Sequence, residues 1–130
     1  MNSNRVVLDA SAILALIHQE PGSEKLPKAL LEMAAVSTVN LAEVQGKLVV
    51  AGWNSEDAWE DANSAVREVF AFTPEHAKNT GTLIAQTRAS GLSLGDRACL
   101  ALALELSAPV YTTDKSWKSL KLAVPVHVIR

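Results

Sequence analysis

Four carboxylates stand out in this 130-residue chain because each falls where strand gives way to helix: Asp9, Glu43, Asp96 and Asp114. Asp9 follows the apolar run Val6-Val7-Leu8, and Asp114 follows Val110-Tyr111-Thr112. Glu43 comes just after Thr38-Val39-Asn40, and Asp96 after Ser93-Leu94-Gly95, near the amino ends of expected helices. Four acids on one rim repel one another unless cations sit among them. An all-oxygen donor set is what Mg²⁺ or Mn²⁺ prefers, and the sequence offers no His/Cys cluster for zinc. Each acid also has a plainer reading. Asp9 could cap a helix beginning near Ala10, Glu43 could answer a helix dipole, and Asp114 could be a turn residue. Asp96 could pair with its neighbour Arg97, yet at i, i+4, i+8 with Leu100 and Leu104 it lies on the inward face of its helix. No single acid decides the matter; their shared location does.

The elements that must position these acids follow from periodicity. Arg5–Leu8 is a short buried strand feeding a helix that ends at His18 before Pro21-Gly22. Leu26, Ala29, Leu30 and Met33 give a helical spacing over Glu24–Ala35, with Pro27 in its first turn. A second strand is expected at Ala35–Thr38. Thr38 or Asn40 would then cap a helix over Leu41–Ala51, closed by Gly52. Asn54 or Ser55 caps another helix reaching about Val69, and Phe70-Ala71-Phe72 is a possible third strand. Thr73-Pro74-Glu75 is a helix start whose helix should run to Ala89. Ser93–Ser107 is a further helix, Pro109–Thr112 a fourth strand, Trp117–Leu120 a short helix, and Val126–Ile129 a last strand. Short apolar strands alternating with helices predict a parallel α/β sheet covered on both faces, an α/β/α sandwich. No linker, repeat or low-complexity segment divides the chain, so a single domain over 1–130 is expected. In such sheets ligands gather beyond the carboxyl ends of the strands, where the acids fall.

With their flanks, the four acids resemble the PIN-domain ribonucleases of the VapC toxin type. The likeness covers nearly the whole chain. It rests on four ordered blocks: VVLDASA at 6–12, STVNLAEV at 37–44, LSLGDRACLALA at 92–103 and VYTTDKSW at 110–117. The resemblance implies a Mg²⁺- or Mn²⁺-dependent endoribonuclease, the toxin of a toxin–antitoxin pair. The family's four acids fall on Asp9, Glu43, Asp96 and Asp114, and its supporting hydroxyl residues on Ser11 and Thr112. Asp9 and Asp96 would be the main metal ligands. Glu43 would hold a water of the ion or a second ion, and Asp114 would orient the attacking water. Where many relatives carry Arg and a second Asp after the fourth acid, Lys115-Ser116-Trp117 stands here, and Trp117 replaces a usual Phe and reads as packing.

Charge adds a second layer. Residues 1–65 carry 4 basic and 9 acidic side chains and residues 66–130 carry 8 and 5, so the net −2 conceals a basic half. Arg97, Lys115 and Lys118 could contact RNA phosphates, or could be scattered solvated charges. One cysteine, Cys99, excludes an intrachain disulfide and reads as a small core residue. With no signal-peptide pattern and no spanning segment, a cytoplasmic protein with no membrane partner is expected. His18, His76 and His127 are dispersed. Trp53 and Trp59 could anchor a homodimer or a partner helix, or simply pack in the core, and the resemblance implies a small protein antitoxin as partner. Two other functions compete. A receiver-like phosphoacceptor module also uses strand-end Asp, Thr and Lys, but it needs paired acids after the first strand and a phosphoacceptor after a central one. Only Asp9 follows the first strand, and Phe70-Ala71-Phe72-Thr73 ends without an acid. A catalytically inactive PIN-like interaction domain would have lost one or more of the four acids, and all are present.

Overall fold

The computed structural model describes residues 4–130. Five parallel strands, β1 (Val6–Leu8), β2 (Ala34–Ser37), β3 (Glu68–Phe70), β4 (Val110–Thr112) and β5 (Val126–Val128), lie in the order β3-β2-β1-β4-β5. The chain moves outward from β1 through β2 to β3, then returns across the sheet to β4 and β5. The order therefore reverses between β1 and β4, and the crevice at such a switch point is where open α/β sheets bind ligands.

Helices α1 (Ala10–Ile17), α2 (Lys28–Leu31), α3 (Thr38–Val50), α4 (Ser55–Ser64), α5 (Pro74–Thr82), α6 (Ile84–Thr87) and α7 (Leu94–Leu106) make the crossovers. Strand alternation splits the core in two. Val6, Leu8, Ala34 and Val36 point to one face and pack with α1, α3 and α4. Val7, Ala35 and Val110 point to the other and pack with α7, Leu83 and Trp117. This is the expected α/β/α sandwich, with its sheet buried on both faces.

Three expected elements change, each for a local reason. The helix expected over Glu24–Ala35 shrinks to a 3-10 turn at Ser23–Lys25 and the single turn of α2. Pro27 sits before α2 in extended conformation rather than inside a first turn, and Met33 accepts Val6 N–H as the chain enters β2. The helix expected to reach Val69 stops at Ser64, because Arg67 N–H donates to Ala34 and Glu68–Phe70 pairs with β2. The helix expected over 74–89 breaks into α5, α6 and a 3-10 turn at Arg88–Ser90. Thr80, Thr82 and Thr87 each donate their hydroxyl to the carbonyl four residues back, a contact that bends helices. Among the described residues no helix is long and apolar enough to cross a membrane.

Candidate metal centre at the carboxyl edge of the sheet

Asp9 leaves β1 in extended conformation and caps α1, its Oδ1 accepting from Ala12 N–H at 2.8 Å. Ser11 Oγ donates to the same oxygen at 2.7 Å, and Thr112 Oγ1, at the end of β4, donates to Oδ2 at 2.6 Å. The two hydroxyls lie 3.3 Å apart, but each has one proton, and both protons go to Asp9. Their lone pairs accept in turn: Ser11 from Thr113 N–H at 3.0 Å, and Thr112 from Asp114 N–H at 3.1 Å. Ser11 and Thr112 thus stitch the two neighbouring strand ends together through one carboxylate. Asp9 is 4% exposed. Burial pushes its carboxyl up to about 6, Asp96 adds to the rise, and the three hydrogen bonds oppose it.

Glu43 and Asp96 arrive from α3 and α7. Ser37, the last residue of β2, caps α3 by accepting from Val39 N–H, so the helix starts at Thr38 and neither Thr38 nor Asn40 serves as the cap. Asn40 is freed for another task. Its buried Nδ2 donates to Glu43 Oε1 at 2.8 Å and to the Gly95 carbonyl at 2.9 Å, tying α3 to the first turn of α7. Reversing the amide would set its oxygen against two acceptors, so the network fixes its orientation. Asn40 Oδ1 is left buried with no partner. Gly95 is part of the same fitting, because a Cβ there would overlap both carboxylate oxygens of Glu43. Asp96 forms a reciprocal cap with Ser93: Ser93 N–H donates to Asp96 Oδ2 at 3.0 Å, and Asp96 N–H to Ser93 Oγ at 3.1 Å.

Three of the acids act together on Cys99. The thiol is fully buried and pushed well up, first by burial and then by Asp9, Asp96 and Glu43 together. Asp114 joins from the side. Its N–H supports Thr112, while its exposed carboxylate turns to Ser116, with Oδ1 accepting from Ser116 N–H at 2.9 Å and Ser116 Oγ at 2.8 Å. Among the described residues no three His, Cys, Asp or Glu side chains stand close enough to grip one ion as they are placed. The donors still fit a hard divalent cation. A carboxylate offers roughly four acceptor positions. Asp9 uses three, and among the described residues neither Glu43 Oε2 nor Asp96 Oδ1 accepts a hydrogen bond, so oxygen is open on all three. A cation there would also offset the burial that raises the Asp9 carboxyl.

A sequence profile of the PIN domain matches residues 6–122, the stretch that carries all four acids. The chain belongs to the PIN-domain family. Its fold is shared with the VapBC2 complex of Rickettsia felis bound to a DNA fragment from its promoter, at a TM-score of 0.70 and 20% identity, covering 93% of this chain and 96% of that one. Mycobacterium tuberculosis VapC20, a Sarcin-Ricin loop cleaving toxin, gives 0.72 and 17%, covering 92% and 98%. FitAcB from Neisseria gonorrhoeae gives 0.66 and 20%, covering 94% and 96%. No curated protein matches the sequence.

The cations of this PIN domain divide. Arg97 is not a free surface charge: it turns along α7 to donate Nη1 to the Thr80 carbonyl of α5 at 2.9 Å, with Nε buried and unpartnered. Lys115 and Lys118 are exposed on the 3-10 turn Lys115–Ser119 that follows Asp114. Trp117 on that turn is fully buried, as packing requires. Trp53 is half-buried against the core beneath α1, and Trp59 stays 39% exposed. The histidines are far apart in role: His18 meets Trp53 edge-on, His76 Nε2 lies 2.6 Å from Glu105 Oε2, and His127 stacks on Tyr111. Asn40 and Gly95 were not among the expected site residues. The signal for Asn40 was its place three residues before Glu43, one turn along the same helical face.

Proposed function

We propose that this PIN domain is a Mg²⁺- or Mn²⁺-dependent endoribonuclease and the toxin of a toxin–antitoxin pair. The observation that carries the reading is the Asp9 carboxylate: buried at the switch point of the sheet, held by three donors and felt by Asp96, with Glu43 of a separate helix acting together with both on Cys99. Asp9 and Asp96 would be the main ligands, with Glu43 beside them. The bound ion supplies positive charge against the scissile phosphate and a lowered water pKa. Ser11 and Thr112 fix the Asp9 carboxylate so that no rotamer search precedes binding. Asn40 and Gly95 do the same for Glu43. Asp114, exposed at the edge, orients the attacking water with the oxygen that Ser116 leaves open. Hydrolysis by water forms one P–O bond and breaks another, leaving a phosphate on one fragment and a hydroxyl on the other.

The VapBC structures that share the fold are toxin–antitoxin complexes, which supports a small antitoxin as partner in a cytoplasmic setting, with a homodimeric toxin using exposed surface such as Trp59. The test is incubation of the purified protein with total RNA, with Mg²⁺ or with EDTA, followed by mapping of the cut ends. Cuts that need the ion and leave linear phosphate and hydroxyl ends are expected. Cleavage that persists in EDTA, cyclic phosphate ends, or no cleavage by protein free of any partner would overturn the assignment.

A further inference from the structure

Beside the acids lies a hollow of about 280 Å³ whose wall begins on Ser11 and Thr113, the pair linked by the 3.0 Å bond that braces the Asp9 cradle. Its far wall carries two cations, Lys47 and Arg130, beside a histidine. His18 comes from the end of α1, Lys47 from α3 and Arg130 from the chain segment after β5, with Glu20 as the one acid. Lys47 stands four residues past Glu43, so the two share a helical face and α3 spans from acid site to hollow. Arg130 is steadied by Glu20 at 3.2 Å, and His18 by the edge of Trp53 at 6.5 Å between ring centres. The two cations come from separate elements, which no single helix turn explains. Lys47 is one of only four Lys and Arg in the acidic half of the sequence.

We propose that this hollow binds the RNA phosphate adjoining the one being cut. The inference rests on the nuclease reading above and names how that site would hold its strand. A strand crossing Asp9 and leaving past Ser11 and Thr113 would bring its next phosphate to Lys47 and Arg130. A hollow of this volume accepts one phosphate with part of its sugar. It is too small to enclose a helix, whose diameter with side chains is about 10–12 Å, and its lining side chains are polar but for Leu14, which favours a phosphate over an apolar helix face as its occupant. Binding by phosphate neutralisation is blind to sequence and sensitive to salt.

The test uses a mixed-sequence single-stranded RNA labelled for fluorescence, with two readouts: cleavage kinetics in Mg²⁺, and anisotropy binding in EDTA, which needs no turnover. The variant Lys47→Ala/Arg130→Ala should raise KM on the order of tenfold, with kcat much less affected. It should also flatten the slope of log affinity against log salt by about 0.7, the value for one phosphate contact on a single strand. Lys47→Arg should restore most of the loss contributed by Lys47. Lys28→Ala, on the opposite rim beside Arg67, should change neither quantity. An unchanged salt slope in the double variant overturns the inference, as does a fall confined to kcat. Weakened antitoxin binding with RNA affinity intact would assign the hollow to a protein and overturn it equally. If the unmodified protein cuts no RNA, the nuclease reading fails; the anisotropy arm still decides the hollow by itself, because equal affinities of the two proteins sink it.

Discussion

Replacing Gly95 by Ala separates the stability of this fold from the chemistry of its site. The added Cβ would collide with both oxygens and the Cδ of Glu43. Those atoms end a flexible, half-buried side chain, so the carboxylate swings away and the backbone stays. Moving it breaks the 2.8 Å bond from Asn40, a hydrogen bond to a charged group worth about 1.5–3 kcal/mol. Against that loss, Ala in place of Gly inside a helix contributes about 0.5–1 kcal/mol. The net cost is about 0.5–2.5 kcal/mol, or a Tm lower by on the order of 5 °C for a domain of this size. Function should suffer far more. Displacing a carboxylate from beside the ion should weaken Mn²⁺ binding by about 10–100-fold and reduce RNA cleavage in proportion. Isothermal calorimetry with Mn²⁺, a melting scan and a fluorogenic RNA assay read the three quantities. Gly46→Ala on α3 is the matched control: its Cβ would meet nothing within 4 Å, so a small gain in Tm is expected with Mn²⁺ binding unchanged. If Gly95→Ala keeps Mn²⁺ affinity and cleavage at the unmodified level, the placement of Glu43 does not matter and the reasoning fails.

Three further outcomes follow from the same geometry. Asp9 has a folded pKa of about 6 against about 3.9 unfolded, so between those values the native state binds more protons. Stability of the metal-free protein should therefore fall as pH rises from about 4 to 6, by at most about 3 kcal/mol from this group, and level off above. Asp9→Asn should lack that slope; melting curves across the range that superimpose for the two proteins would refute it. Asp96→Asn keeps an oxygen to accept from Ser93 N–H, so its Tm should move little while cleavage drops at least 100-fold; near-full cleavage with unchanged metal dependence would remove Asp96 from the site. Lys115→Ala/Lys118→Ala should flatten the salt slope of RNA binding by roughly one to two units without moving the cut position, and an unaltered slope would mark both as solvated charges.

Much of the fold was legible because a parallel sheet buried on both faces writes itself as short apolar runs. Val6–Leu8, Val110–Thr112 and Val126–Val128 all form strands where those runs lie. The errors cluster where tertiary pairing overrides local pattern. Glu68–Phe70 has a burial pattern too mixed to announce an edge strand, and the helix signal from Ala62 onward ran over it. The spacing of Leu26, Leu30 and Met33 suits a helix, but only the turn at Lys28–Leu31 becomes α-helical before Ala34 is drawn into the sheet. In the stretch from Pro74 to Ala89, apolar spacing is silent about hydroxyls that bend back onto carbonyls.

The acids themselves were legible from position, and what the sequence left open was whether each served the backbone or the chemistry. The atoms leave room for both, because a carboxylate has two oxygens. Asp9 caps α1 with Oδ1 and turns Oδ2 to Thr112 with a lone pair to spare. Asp96 caps α7 with Oδ2 and leaves Oδ1 open; Glu43 is gripped through Oε1 and leaves Oε2; Asp114 closes its turn through Oδ1 and leaves Oδ2. Each acid is anchored by one oxygen to the element that carries it. Rotation about that anchor is thereby restricted, and in Glu43, Asp96 and Asp114 the second oxygen accepts from no donor among the described residues. On the proposed reading, a helix cap in Asp9, Asp96 and Asp114, and the Asn40 bond in Glu43, would preorganise the site, the structural role fixing where the chemical one can act. The partners that complete this arrangement, Asn40 and Gly95, carry no charge and lie 55 residues apart, so their contact emerges only when β2 delivers α3 against the first turn of α7.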